Sequence, residues 1–460
     1  MKRILYFLFL SPLFLNHTCK KEKMEVTEAT QPARPDQVRH DWLRAANFYE
    51  MNLRQMGADG KIGGGASFYP LRTFDLGFDA IILLPVQPTG KLNRTGTLGN
   101  PYLVSDYDTV ALELGGSRPL EQLIRVSKSL GMKVVLDWNA VEVAADHEWV
   151  KNQSSFLLPA DNPIPESRKL NYANPSMRKA MTEAMRWWVT RFDIDGFRCI
   201  GADRVPLDFW EENRRSLEQN KSLVWLADLA KTESEGNINM SWFSNAFDAV
   251  VQHGFNQVSR EAAGLKKDAY DMAAWMRVND SIYGNTLPQL RYQSSHGAPR
   301  GYESLEKQYG ERWEPYMVLA YTLPGSLPMV ASGQDLNPAQ ALPREEPAQL
   351  LWTDTTWQFW YRTMNRFRKE HPALWNQPGD SLQVLKLEGK NPSRVLAFRR
   401  QRDLDAVWVF VNLSDEVAYF KIPNVTLPQN PVMLFQNRLI GEPLNGYLLP
   451  PRGYVIYAER

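Results

Sequence analysis

From Asp41 to about Ala373 the chain alternates short apolar runs, rich in β-branched residues, with longer segments whose apolar residues recur at helical spacing. Ala80–Leu84, Lys133–Leu136 and Leu223–Leu226 read as strands, Leu120–Leu130 and Met177–Phe192 as helices. Strand then helix, repeated over roughly 330 residues, leaves few folds open. An apolar strand between two helices belongs in a parallel sheet, because each crossover helix covers a face of the sheet. Eight such units close into a (β/α)8 TIM barrel of the α/β class. The predicted barrel spans residues 41–375. Residues 376–460 follow a different pattern: Val395–Arg399, Ala406–Asn412, Glu416–Ile422 and Gly453–Tyr457 are strands separated by turn residues. They predict a C-terminal antiparallel β-sandwich. A chain of 460 residues suits a barrel plus one accessory unit.

The net charge is +1, from 53 basic and 52 acidic residues, and no basic stripe stands out. That balance gives no electrostatic footprint for nucleic acid. The 15 Trp residues serve mainly as core, with a minority available on loops to stack on sugar rings. No Gly-x-Ser-x-Gly elbow, Walker loop or zinc-spaced Cys/His set is present. Cys199 lies in a strand and should point away from the barrel interior, as an inert buried thiol. No cofactor is expected.

The first residues read as an export signal. Lys2 and Arg3 are followed by an apolar stretch, Ile4–Leu15, too short to span a bilayer. Cys19 closes the segment. This arrangement resembles a bacterial lipoprotein signal, with residues 1–18 removed and Cys19 lipidated. Residues 19–40, charged and holding Pro32 and Pro35, then form a flexible tether. The resemblance implies an exported, membrane-anchored protein. Lys20, where Asp commonly signals inner-membrane retention, points to the outer membrane or cell surface.

A series of motifs runs along the body in a fixed order: Asn47–Asn52, Asp75–Pro85, Gly99–Tyr107, Gly131–Trp138, Asp193–Ile200, Leu223–Asp228, Tyr292–His296 and Leu327–Gln334. Together they resemble the strand-end motifs of the α-amylase family, glycoside hydrolase family 13. Gly196-Phe197-Arg198-Cys199-Ile200 is similar to the family's fourth-strand signature Gly-Phe-Arg-x-Asp. The irregular stretch from about Asn139 to Asn174 resembles the family's insert after the third strand, here short.

The resemblance implies a retaining glycosidase site, which needs two carboxyls about 5–5.5 Å apart. Three positions depart from it. Ile200 stands at the nucleophile position, where a hydrocarbon has no lone pair for attack. Asp228 stands at the general-acid position in place of Glu, one methylene shorter. Gly297 stands at the position of the third carboxylate. Val141 and Glu142 replace the Asn and His that would bind calcium and substrate, so no family-type metal site is expected. Retained at substrate-contacting positions are Tyr102, Asp137, Arg198 and His296. With Ile200 uncharged, the partner of Arg198 is Asp137 or Asp228.

These residues imply a carbohydrate-associated lipoprotein without catalysis, one that binds an α-glucan or related ligand or acts through protein contacts. Two alternatives stand beside it. One is an active α-glucan hydrolase or transglycosylase with a shifted carboxylate pair, for which Asp203 and Glu142 are the candidates. The other is a structural or assembly lipoprotein whose cleft is empty.

Overall fold

The computed structural model describes residues 39–459 except 161–165, 231–239, 284–286, 299–300, 311–312, 337–340, 354, 377–379, 424–431 and 437–445. Cys19, the signal segment and nearly all of the tether therefore lie outside the described residues. Eight parallel strands form a closed barrel. They are β1 (Phe48–Met51), β2 (Ala80–Leu83), β3 (Lys133–Asn139), β4 (Gly196–Ile200), β5 (Val224–Asp228), β6 (Ala249–Val251), β7 (Gln289–Arg291) and β8 (Ser326–Ala331). Strands adjacent in sequence are adjacent in space, and β8 pairs with β1.

Because side chains alternate across a strand, every second residue faces the barrel axis. At the start of the strands these inward positions are apolar. Phe48, Ile82, Val135, Val224, Leu226, Leu327 and Met329 are buried together. Toward the C-terminal ends the same faces turn polar, with Glu50, Asp137, Arg198 and Asp228 following in the two-residue period. Cys199 points the other way and packs, fully buried, in the outer core with Trp138 and Phe197. Gly196 allows β4 to approach β5: a Cβ there would fall 2.0 Å from the Val224 carbonyl oxygen.

The helix Pro175–Phe192 shows how the outer layer is specified. Asn174 caps it by accepting from the Ser176 and Met177 backbone N–H groups, and Pro175 occupies the first turn, where no N–H is needed. Met177, Met181, Ala184, Met185, Trp188 and Phe192 form its buried stripe. It stops at Asp193, whose backbone is left-handed (φ 53°) and whose carboxylate pairs with Lys128 and Lys221.

The last barrel helix, Thr356–Glu370, leads into a five-stranded antiparallel sheet in the order Ser381–Val384, Val395–Arg402, Asp405–Asn412, Tyr454–Glu459, Val432–Gln436. A two-stranded sheet, Ala418–Phe420 with Tyr447–Leu449, packs on one face across Trp408, Phe410, Phe420 and Leu449. On the other face Phe398, Val407, Val409 and Ile456 join the core of the barrel's outer layer. The strands Ser381–Val384, Val432–Gln436 and Tyr447–Leu449 were not predicted from sequence. They are short and lack a clear alternation.

Candidate active-site cleft

At the C-terminal end of the barrel the inward side chains form two layers. The lower layer is a buried ionic network. Arg198 on β4 donates through Nε to Asp137 Oδ1 at 2.6 Å and through Nη2 to Asp137 Oδ2 at 2.6 Å. The same Nη2 donates to Glu50 Oε1 on β1, also at 2.6 Å. Tyr102 OH donates to Asp137 Oδ2 at 2.8 Å. Ser295 OH donates to Glu50 Oε1 at 2.8 Å, and the His296 backbone N–H to Glu50 Oε2 at 2.5 Å. Arg198, Asp137 and Glu50 are all within 1% of full burial.

Two carboxylates thus share one guanidinium out of water. Burial by itself would lower the Arg198 pKa, but Asp137 and Glu50 reverse this and hold it well above its ordinary value. Burial pushes the Asp137 carboxyl up to about 6, with Arg198 opposing and the nearby Glu50 charge adding to the rise. A group whose folded pKa is raised holds a proton that the unfolded chain has already released. Its stabilisation is complete below about pH 4 and is lost as the pH rises through about 6. Carbon-detected NMR should therefore show the Asp137 carboxyl titrating near pH 6. Titration at about pH 4, as in an open carboxylate, would refute the charge arrangement of this network.

Above the network lies a cleft of about 610 Å³, lined among others by Tyr102, Val141, Glu142, Ile200, Asp228, His253, Tyr292 and Gly297. Ile200 and Asp228 are cross-strand neighbours at the ends of β4 and β5. Asp228 does not reach Arg198. It accepts from His253 Nε2 at 2.8 Å, and His253 Nδ1 lies 2.6 Å from the Tyr292 hydroxyl. Burial raises the Asp228 pKa, but the pairing with His253, helped by Arg198, outweighs it and holds the carboxyl below the usual range. Asp228 is thus ionised in neutral solution, and His253 Nε2 carries the proton between them. Tyr292, its pKa raised by burial and by the Asp228 and Glu50 charges, keeps its O–H beside Nδ1 of His253. An ionised carboxylate held in this way has no proton to give a leaving group.

The other expected residues sort clearly. Tyr102 lines the cleft but is only 6% exposed, and the Arg344 guanidinium carbon sits 5.5 Å from its ring centroid. Asp137, Arg198 and His296 are buried and none lines the cleft. The His296 ring packs behind the site, with Nε2 2.8 Å from both the carbonyl and the hydroxyl of Ser332. Burial lowers its pKa. Gly297 lines the cleft, and a Cβ added there would lie 2.8 Å from the Tyr102 hydroxyl. Of the two carboxylates considered for a shifted pair, Glu142 lines the cleft and accepts from the Ser167 hydroxyl at 2.5 Å. Asp203 is not among the lining residues; it accepts from the Ala230 N–H at 2.7 Å.

Three residues of the cleft and the network beneath it were missed in the sequence. Glu50 was legible in principle, as a charge two residues after the inward-facing Phe48. Tyr292 lay inside a quoted motif without a role. His253 follows β6, a three-residue strand that had not been recognised.

The fold and cleft together define a (β/α)8 barrel with a C-terminal antiparallel β domain, the architecture of α-amylases. The structure superposes on a noncanonic maltogenic α-amylase, AmyB, from Thermotoga neapolitana with a TM-score of 0.76 at 21% identity, covering 91% of this chain and 99% of that one. For an α-amylase from Lactobacillus plantarum the TM-score is 0.75 at 18% identity, over 92% and 100% of the two chains. In sequence the chain is 22% identical over 396 residues to an α-1,4-glucan:maltose-1-phosphate maltosyltransferase of Corynebacterium pseudotuberculosis, covering 77% of this chain and 56% of that protein. It is 23% identical over 370 residues to α-amylase MalA of Haloarcula japonica, covering 76% and 52%. The chain thus spans about half the length of these two curated relatives. No protein-family model matches it. Its homologues are enzymes of the α-amylase family.

Proposed function

We propose that the cleft binds an α-glucan or a related oligosaccharide, and that it does so without the family's double-displacement chemistry. The observation that carries this reading is the pairing at the ends of β4 and β5. The nucleophile position holds Ile200, and its neighbour Asp228 is an ionised partner of His253. Neither side of a covalent glycosyl transfer is supplied there.

A second reading, turnover by a non-standard set of groups, has its own support. The named relatives are enzymes acting on α-glucans, and this favours activity over its absence. The cleft also keeps polar groups within reach of a ligand in Glu142 and the Asp228–His253–Tyr292 chain. The two readings separate in one experiment. The full-length chain is incubated with maltooligosaccharides, binding is followed by calorimetry, and products are followed by chromatography. Binding without products is the expected result. Products that disappear in Asp228→Asn or Glu142→Gln would establish the enzyme reading. Neither binding nor products would remove both.

We also propose that the body is exported and tethered by lipid on Cys19. The support is the Lys2–Arg3 start, the short apolar segment and the single cysteine that closes it. Mass spectrometry of the native N-terminus should find a diacylglyceryl-modified Cys19; an unmodified terminus elsewhere would disprove it.

A further inference from the structure

We infer that Arg452, in the C-terminal β domain, is a positioning residue for the cleft: it holds the far end of the helix that begins with His253. The inference goes beyond the sugar-binding reading and holds whichever ligand the cleft takes.

The helix His253–Ala263 follows β6. His253, Asn256 and Arg260 line the cleft, and their spacing of three and four residues places them on one face. Phe255, Val258 and Ala262 are buried in the barrel's outer core. The start of the helix is fixed beside the cleft. Gln252 accepts from the Gly254 N–H at 2.8 Å, and its own Nε2 donates to Asn279 Oδ1 at 2.6 Å. Asn256 Nδ2 donates to the Gln293 carbonyl at 2.6 Å.

The end of the helix is held by the other domain. The last carbonyls of a helix have no partner within it. Arg452 Nη2 donates to the Ala263 carbonyl at 2.8 Å, and Nη1 lies 3.4 Å from the carbonyl oxygen of Ala262. A cation is also favoured there by the helix dipole. The guanidinium is anchored in its own domain, through Nη1 to the Leu413 carbonyl at 2.8 Å and through Nε to Asp415 Oδ1 at 2.7 Å. It donates as well to the Tyr316 hydroxyl, on the barrel helix Glu314–Thr322. Arg452 is buried, and its backbone is left-handed (φ 53°), which is uncommon for a residue with a Cβ. Such a conformation persists where surrounding contacts over-determine it. Eleven residues make a rod about 16 Å long, with the cleft at one end and the β domain at the other. The hydrogen bond of His253 to Asp228 is 2.8 Å, and a shift of the rod by about half an ångström would take it out of the normal range.

The test reads the imidazole nitrogen signals of the six histidines by NMR on the full-length chain. In Arg452→Gln the His253 signals are expected to move. Arg452→Lys keeps the charge but replaces a fork of donors by one centre, and should recover part of the change. The control is Asp405→Asn, at a second contact between the β domain and the barrel. Asp405 accepts there from the Ala373 N–H at 2.8 Å and lies 2.7 Å from His371 Nδ1. It should lower the unfolding midpoint and move the His371 signals while leaving those of His253 in place. A lowered midpoint in Arg452→Gln with the His253 signals unmoved would reduce Arg452 to a structural contact and overturn the inference. The same His253 change in Asp405→Asn would also overturn it. Should the glutamine variant not fold, the lysine variant decides by the same measurement, and unmoved His253 signals overturn the inference. Maltoheptaose binding is followed on the same samples: a parent that binds none removes the saccharide reading, while the His253 signals still decide the role of Arg452.

Discussion

Replacing Arg198 with methionine is expected to lower stability by about 3–5 kcal/mol, the cost of leaving buried carboxylates without their counter-charge. The side chain has the length to fill the space, so packing is nearly kept while the charge is lost. What remains is Asp137 and Glu50 side by side, both fully buried, with Tyr102, Ser295 and the His296 N–H as their remaining donors among the described residues. The loss is read as a fall in the urea unfolding midpoint. Adding Glu50→Gln to Arg198→Met should recover part of it, because removing one of two unpaired charges relieves the other; that non-additivity separates an electrostatic cause from a packing one. A midpoint for Arg198→Met within about 1 kcal/mol of the parent would mean that the network carries little of the stability.

The second large effect is a failure of repair. Ile200→Asp places a carboxylate where the sequence resemblance puts the family's nucleophile, yet it is expected to give no α-glucan hydrolysis and to cost about 1–3 kcal/mol, the penalty of placing a poorly paired polar group in a half-buried site. The new carboxylate would stand beside the ionised Asp228, its cross-strand neighbour. Arg198 is not free to neutralise it, because Nε and Nη2 are already directed to Asp137 and Glu50. The general-acid side stays unfilled, since the Asp228 proton is absent. Adding Asp228→Glu and Gly297→Asp does not complete the site cleanly. The Cβ of residue 297 would lie 2.8 Å from the Tyr102 hydroxyl and 3.3 Å from the Ser295 hydroxyl, and Tyr102 is tied to Asp137. Acid and nucleophile act as a unit, so partial restorations do not sum. Reducing-sugar release from maltoheptaose by Ile200→Asp, at rates well above the parent, would show that the cleft needs only its nucleophile and that the surrounding charges are freely rearranged.

Much of this was readable in the chain itself. The two-residue period of strands puts Arg198 and Ile200 on one face and Cys199 on the other, as the structure has them. At the two positions where the resemblance places carboxylates the chain has Ile200 and Gly297, and no environment gives a hydrocarbon or a hydrogen atom a charge. The apolar stripe of the helix was equally plain over Met177–Phe192, while its start at Pro175 and its Asn174 cap came from the structure.

Only the tertiary structure decided who pairs with whom. Between Asp137 and Asp228 as partners for Arg198, the fold chose Asp137 and added Glu50, which is 148 residues away in sequence. It gave Asp228 instead to His253, 25 residues on, and so fixed an ionised carboxylate where the sequence suggested a proton donor. It turned the His296 ring to Ser332 behind the cleft and laid Arg344 against Tyr102. The physical reason is that a side chain's protonation and reach depend on burial and on charges within a few ångströms. Residues distant in sequence meet at that range only when the barrel closes.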